Sequence, residues 1–124
     1  MKRALGSLML LGTLTLPGGA QPADPFEGTF QVQGINPDGQ GRYEGTLVLR
    51  PRGQVYEAHW SVGRDSFEGV GVVVGGNLSV GYWPSDRSWT GVVVYKVAED
   101  NSLSGVWAGL GETRTGTEKA FRRK

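Results

Sequence analysis

Tyr43-Glu44-Gly45-Thr46-Leu47-Val48-Leu49-Arg50-Pro51-Arg52-Gly53-Gln54-Val55-Tyr56-Glu57-Ala58-His59-Trp60 is the stretch that decides the fold. Tyr43, Gly45, Leu47 and Leu49 stand at every second position, and Glu44, Thr46 and Arg50 fall between them. After Pro51-Arg52-Gly53 the alternation resumes: Tyr56, Ala58, Trp60 and Val62 oppose Glu57, His59 and Ser61. A period of two with one dry and one wet face is the mark of a half-buried antiparallel strand. Pro followed by Gly suits a tight hairpin turn. Two such strands joined by so short a turn are adjacent and antiparallel.

The same pattern extends in both directions. Eight strands are predicted, near 26–34, 42–50, 54–62, 66–74, 77–83, 89–97, 102–108 and 113–121. Asn36-Pro37-Asp38-Gly39, Gly63-Arg64-Asp65, Gly75-Gly76-Asn77, Pro84-Ser85-Asp86 and Glu99-Asp100-Asn101 supply the turns. No segment has a helical period, and every connection is short, so consecutive strands pair as a meander. The expectation is an all-β domain: a small up-and-down antiparallel β-barrel, with a β-sandwich as the alternative. The fourth strand leaves its faces open, because Val70, Val72 and Val74 compete with Phe67, Gly69 and Val73.

An aromatic, one residue, then Gly recurs in Phe26-Glu27-Gly28, Tyr43-Glu44-Gly45, Phe67-Glu68-Gly69 and Trp89-Thr90-Gly91. The order reverses in Gly81-Tyr82-Trp83 and Gly105-Val106-Trp107. Glycine inside a strand lets a sheet bend, and a ring can cover the bare backbone. In a meander, strands two, four and six begin where three, five and seven finish. Tyr43, Trp60, Phe67, Trp83, Trp89 and Trp107 therefore gather at one end of the barrel, as candidate ligand-binding residues. Phe26 does not fit, since the first strand starts at the opposite end.

Lys2-Arg3, an apolar run over 4–16, and Gly18-Gly19-Ala20 have the layout of a secretory signal peptide with a cut after Ala20. The expected division is a signal peptide over 1–20 and one β-barrel domain over 21–124. Losing Lys2 and Arg3 takes the 13 basic residues to 11 against 12 acidic ones, a net charge of −1. Such a balance gives no general attraction to nucleic acid or anionic membrane, and no later stretch is apolar enough to span a bilayer. The chain has no cysteine, which excludes disulfides, thiol nucleophiles and cysteine metal sites together.

Little else points to catalysis. His59 is the sole histidine, with Glu57 and Ser61 on the same wet face; a solvated strand surface accounts for them better than a triad fragment. Asp38, Asp65, Asp86, Glu99 and Asp100 fall in turns, where carboxylates commonly cap the backbone. No opposed carboxylate pair, metal-ligand spacing or cofactor motif emerges. Catalytic residues, metal ligands and cofactor are therefore all expected to be none.

Gly34-Ile35-Asn36-Pro37-Asp38-Gly39, Phe67-x-Gly69-Val70-Gly71, Leu78-x-Val80-Gly81-Tyr82 and Leu103-x-Gly105-x-Trp107, ending at Gly116-Thr117-Glu118, resemble a family of small secreted bacterial β-barrel proteins. Its members are often labelled uncharacterised or "fibronectin-binding protein-like". The resemblance implies fold and export; it brings no assigned catalytic residues. In architecture alone the chain also resembles avidin-like proteins and periplasmic protease inhibitors, which does not transfer function. Glu118 is read as a possible anchor of barrel closure by a hydrogen bond or ion pair.

The resulting expectation is an exported, periplasmic or extracellular, non-enzymatic binding protein. Its partner is an unknown small molecule or extracellular protein, bound at an aromatic-lined barrel end. The alternatives are an inhibitor of a secreted protease, acting through the loops Pro84 to Ser88 and Gly109 to Glu112, and a structural cell-envelope protein. Mass spectrometry of the exported product checks the processing step: the expected mass lacks residues 1–20, and an intact Met1 terminus contradicts it.

Overall fold

The computed structural model describes residues 23–39 and 41–124; the expected signal segment, 1–20, lies outside the described residues. Eight strands follow one another: β1 Gly28–Ile35, β2 Arg42–Arg52, β3 Val55–Val62, β4 Asp65–Val74, β5 Asn77–Pro84, β6 Gly91–Val97, β7 Leu103–Gly109 and β8 Gly116–Arg122. Each pairs antiparallel with the next, and β8 returns to β1, closing the barrel. The sandwich alternative is thereby excluded. Closure leaves no sheet edge to solvent, so every strand has neighbours for its backbone groups. At the β4–β5 turn Gly75 and Gly76 take φ of 62° and 81°, a conformation that suits a two-residue hairpin loop and that side chains disfavour.

The predicted faces hold on β2, β3, β6 and β7. On β4 the ambiguity resolves toward glycine: Gly69 and Gly71 are buried, whereas Val70, Val72 and Val74 point to solvent. The reason lies across the strands. Gly69 pairs with Tyr82 and Gly71 with Val80, so the residues of β5 fill the room above β4. A Cβ on Gly69 would stand 2.6 Å from the Gly81 carbonyl oxygen and 2.7 Å from Val80.

Rings and glycines match across strands in the same way. Tyr43 lies over its register partner Gly34, Tyr95 over Gly105, and Trp107 over Gly116. A Cβ on Gly91 would meet the Tyr82 ring at 2.5 Å, and Tyr82 is again the paired residue. The glycine that each ring covers is therefore on the adjacent strand, not two positions along its own. This is how so narrow a barrel admits so many rings.

The interior has two unlike halves. At the end where β1 begins, Phe30, Leu47, Leu49, Ala58, Leu78 and Leu103 pack without solvent access. Full burial of each larger side chain contributes roughly 1.5–3 kcal/mol. Phe26 closes this end. It precedes β1, is buried, and meets Tyr56 edge-on at 6.1 Å. Tyr56 Oη donates to Asp24 Oδ2 at 2.5 Å. Arg122 of β8 donates to the carbonyls of Glu27 and Pro25 while its guanidinium lies over the Phe30 ring. Phe26 departs from the aromatic end because it is the stopper of the other.

Two alanine substitutions test the role of the glycines. An added Cβ at Gly45 collides with the Ser61 carbonyl oxygen, so Gly45→Ala is expected to lower stability by about 2 kcal/mol. Gly81 faces outward with open space above it, and Gly81→Ala is expected to raise stability by about 0.5 kcal/mol. Urea unfolding of both variants checks the contrast; equal effects would contradict it.

Candidate functional site

The other half of the barrel is open. It is the end formed by the β1–β2, β3–β4, β5–β6 and β7–β8 connections, as strand parity requires. A cavity of about 260 Å³ enters there, walled by Tyr43, Trp60, Phe67, Tyr82, Trp89 and Trp107, with Tyr95 and Glu118 deeper and Asp65 also in its lining. Five of the six residues expected at the aromatic end thus line one concavity. Trp60 is buried, Tyr43, Phe67 and Trp107 are half-buried, and Trp89 is 41% exposed.

Trp83 is the correction. It does not line the cavity. Leu78, Val80 and Tyr82 set the inward parity of β5, so Trp83, one position on, must point out. Its Nε1 donates to Glu68 Oε1 at 3.1 Å, and Arg87 lies over its ring. Tyr82 takes the place expected of Trp83, 7% exposed and in ring contact with Trp60, Phe67 and Trp89. The signal for Tyr82 was present in the alternation with Leu78 and Val80. Asp65, read as a turn residue, opens β4 and lines the cavity.

Glu118 is the polar centre of the site. Tyr43 Oη donates to Oε1 at 2.7 Å, Trp60 Nε1 donates to Oε2 at 3.3 Å, and Tyr95 Oη also donates to Oε2. The acceptor is on β8 and the donors are on β2, β3 and β6, so one carboxylate ties together separate sectors of the barrel wall. The anchoring role expected of Glu118 is realised by hydrogen bonds from neutral donors. Burial pushes the Glu118 carboxyl upward from 4.5, and the three hydrogen bonds oppose that rise. Tyr43 and Tyr95 are pushed above the usual phenol value, first by burial and then by the nearby Glu118 charge. They stay protonated and remain donors.

A shallower groove of about 660 Å³ adjoins the mouth, between the β1–β2 and β7–β8 connections. It shares Asn36, Trp89 and Trp107 with the cavity and carries Leu110, Glu112 and Arg114. Elsewhere, His59 is exposed on the outer face of β3, and Glu57 beside it is 3.9 Å from Arg52. Among the described residues no cluster of three or more His, Asp or Glu side chains is placed to hold a metal ion, and no helix is long and apolar enough to cross a membrane.

Two solved structures to which the closed barrel is similar are themselves β-barrels. One is a redesigned β-barrel, mFAP1, bound to DFHBI: identity is 17%, the TM-score is 0.63, and the match covers 79% of this chain and 95% of that one. The other is a de novo designed fluorescence-activating β-barrel, at 17% identity and a TM-score of 0.61, covering 79% of this chain and 94% of that one. At such identity the likeness is one of fold. No protein-family model matches the chain, and no curated protein matches it.

The raised Glu118 carboxyl sets the sign of a pH effect. The folded chain holds this proton to higher pH than the unfolded chain does. The stability it contributes is complete below about 4.5 and is lost as pH rises toward the native value. Glu118→Gln keeps the shape and the acceptor but removes the titration. The variant is expected to gain stability relative to the parent as pH rises from about 4.5 upward, read as the difference in urea midpoints. A parent that gains on the variant over this range would contradict the assignment.

Proposed function

We propose that this is an exported, non-enzymatic binding protein that takes a small molecule into the aromatic mouth of its barrel. The observation that carries this reading is the state of Trp89 and Trp107. Both line the cavity, yet Trp89 is 41% exposed and Trp107 only half-buried. Large rings left wet forgo burial that a simple core plug would gain. A ligand seated against them recovers it. An apolar concavity with a few convergent polar groups is the usual form of a small-molecule site.

The deepest carboxylate of the lining is engaged by three donors, which supports a holding role for it. The basic-start, apolar-run and small-residue pattern of residues 1–20 supports export.

Leu110 favours a second reading. It is 79% exposed on the β7–β8 connection, and a protruding apolar residue is what a protease inhibitor would insert into its target. The two readings separate on the rings. A library of small aromatic compounds is titrated while Trp emission is followed. Ligands are expected to shift the emission of the parent and of Trp83→Phe alike, and Trp89→Ala is expected to weaken them about tenfold, or 1.4 kcal/mol. No shift with any compound, together with inhibition of a protease that Leu110→Ala abolishes, would replace the pocket by the loop.

A further inference from the structure

We infer that the cavity is selective for organic cations, with an ammonium or quaternary ammonium head held by the rings above Glu118. This rests on the small-molecule reading of the cavity and names its ligand class.

The charge pattern of the site is one-sided. Its ionisable carboxylates are Glu118 at depth and Asp65 in the lining, and no Lys, Arg or His lines it. The cationic side chains at this end lie outside. Arg87 is held on the outer surface by Glu68 and Trp83, Arg64 is exposed on the β3–β4 turn, and Arg114 is on the adjoining groove. A ligand inside therefore meets carboxylate charge with no compensating side-chain cation in the wall.

The wall adds to this. Aromatic rings carry a negative face and attract cations, more strongly where water is excluded. Here the rings meet at steep angles, 57° for Trp60 with Tyr82, 64° for Phe67 with Trp89 and 82° for Tyr82 with Trp89. Tyr43 and Trp107 close the other side at 66°. The wall is thus folded into a cage instead of forming one flat stacking platform.

Glu118 supplies the third element. It is 5% exposed, and the partners that reach it, Tyr43, Tyr95 and Trp60, are all neutral. A buried carboxylate that lacks a counter-ion is unfavourable, and a cation placed nearby relieves it. The three donors closest to the floor are already engaged by Glu118, so an anionic ligand finds repulsion there and none of those hydrogen bonds. The volume sets the scale. A dry cavity of about 150 Å³ holds benzene, and the cavity here is about 260 Å³. One ring bearing a trimethylammonium group is of that size.

The test uses three probes of similar shape and different charge: phenyltrimethylammonium, tert-butylbenzene and benzenesulfonate. Each is titrated into the full chain with Trp emission and calorimetry as readouts. Phenyltrimethylammonium is expected to bind at least about tenfold more tightly than tert-butylbenzene, with benzenesulfonate weakest. Equal or tighter binding of the neutral or anionic probe overturns the cation inference and leaves the small-molecule reading standing. Silence from all three overturns the inference too, and the small-molecule reading falls with it only if the wider aromatic library is also silent. In Glu118→Gln the cation-to-neutral ratio is expected to shrink several-fold, with tert-butylbenzene binding reporting that the pocket is formed. An unchanged ratio in a folded variant overturns the role given to Glu118. Asp65→Asn, at an exposed position, gives a second reading of the same ratio should the buried substitution fail to fold, and a ratio unchanged there overturns the electrostatic argument.

Discussion

The interior of this barrel is governed by pairs in which one strand contributes a ring and its neighbour contributes nothing. Tyr43 faces Gly34, Tyr82 faces Gly91, Tyr95 faces Gly105 and Trp107 faces Gly116. An eight-stranded barrel has room for side chains from only some inward positions. Rings of this size fit because a Cβ is missing at the position they cover. The pairing also fixes register. A slip of one residue would set each ring against a side chain and turn the buried faces outward. Packing, register and the aromatic character of the mouth thus share one cause.

Glu118 works within the same frame. It lies between Gly116 and Ala120 on β8, the strand that closes the barrel onto β1, and two small neighbours leave its carboxylate room to reach three donors. Tyrosine and tryptophan serve here where phenylalanine would not, because each brings a polar hydrogen to the end of a large apolar body. The hydrogen bonds satisfy the carboxylate's acceptor needs but not its charge. What remains is a buried acid shielded by neutral donors alone, beneath a cavity that opens to water.

Much of this was legible in the alternation of residues. The strand count, the consecutive pairing and the gathering of rings at one end follow from period and parity, which depend only on backbone geometry. Trp83 was not placed correctly from its identity, because Tyr82 and Trp83 are adjacent and a strand sends only one of them inward. Leu78 and Val80 decide which. The faces of β4 were undetermined because valine suits both sides of a sheet: as a β-branched residue it favours extended backbone whether buried or not. Glycine carried the inward signal there, and a glycine reveals its face only through the bulk across from it. Asp65 and Glu118 were visible as residues, but their convergence on one cavity depends on closure, which brings β8 beside β1 and across from β4.

The contrast between the two ends bears on use. The end where β1 starts is sealed by aliphatic side chains, by Phe26 and by the Arg122 contacts with the segment before β1. Those means stabilise a barrel with apolar bulk and need no carboxylate. The same chain could have filled the mouth with leucine and gained burial from it. It has instead Trp89 at 41% exposure, Trp107 at its side, and a buried acid beneath. Neither wet rings nor an uncompensated carboxylate is demanded by the β-barrel, since the opposite end is closed without them. Local departures from the most stable filling concentrate at one end, and that is the pattern expected where a fold gives up some stability to keep a site.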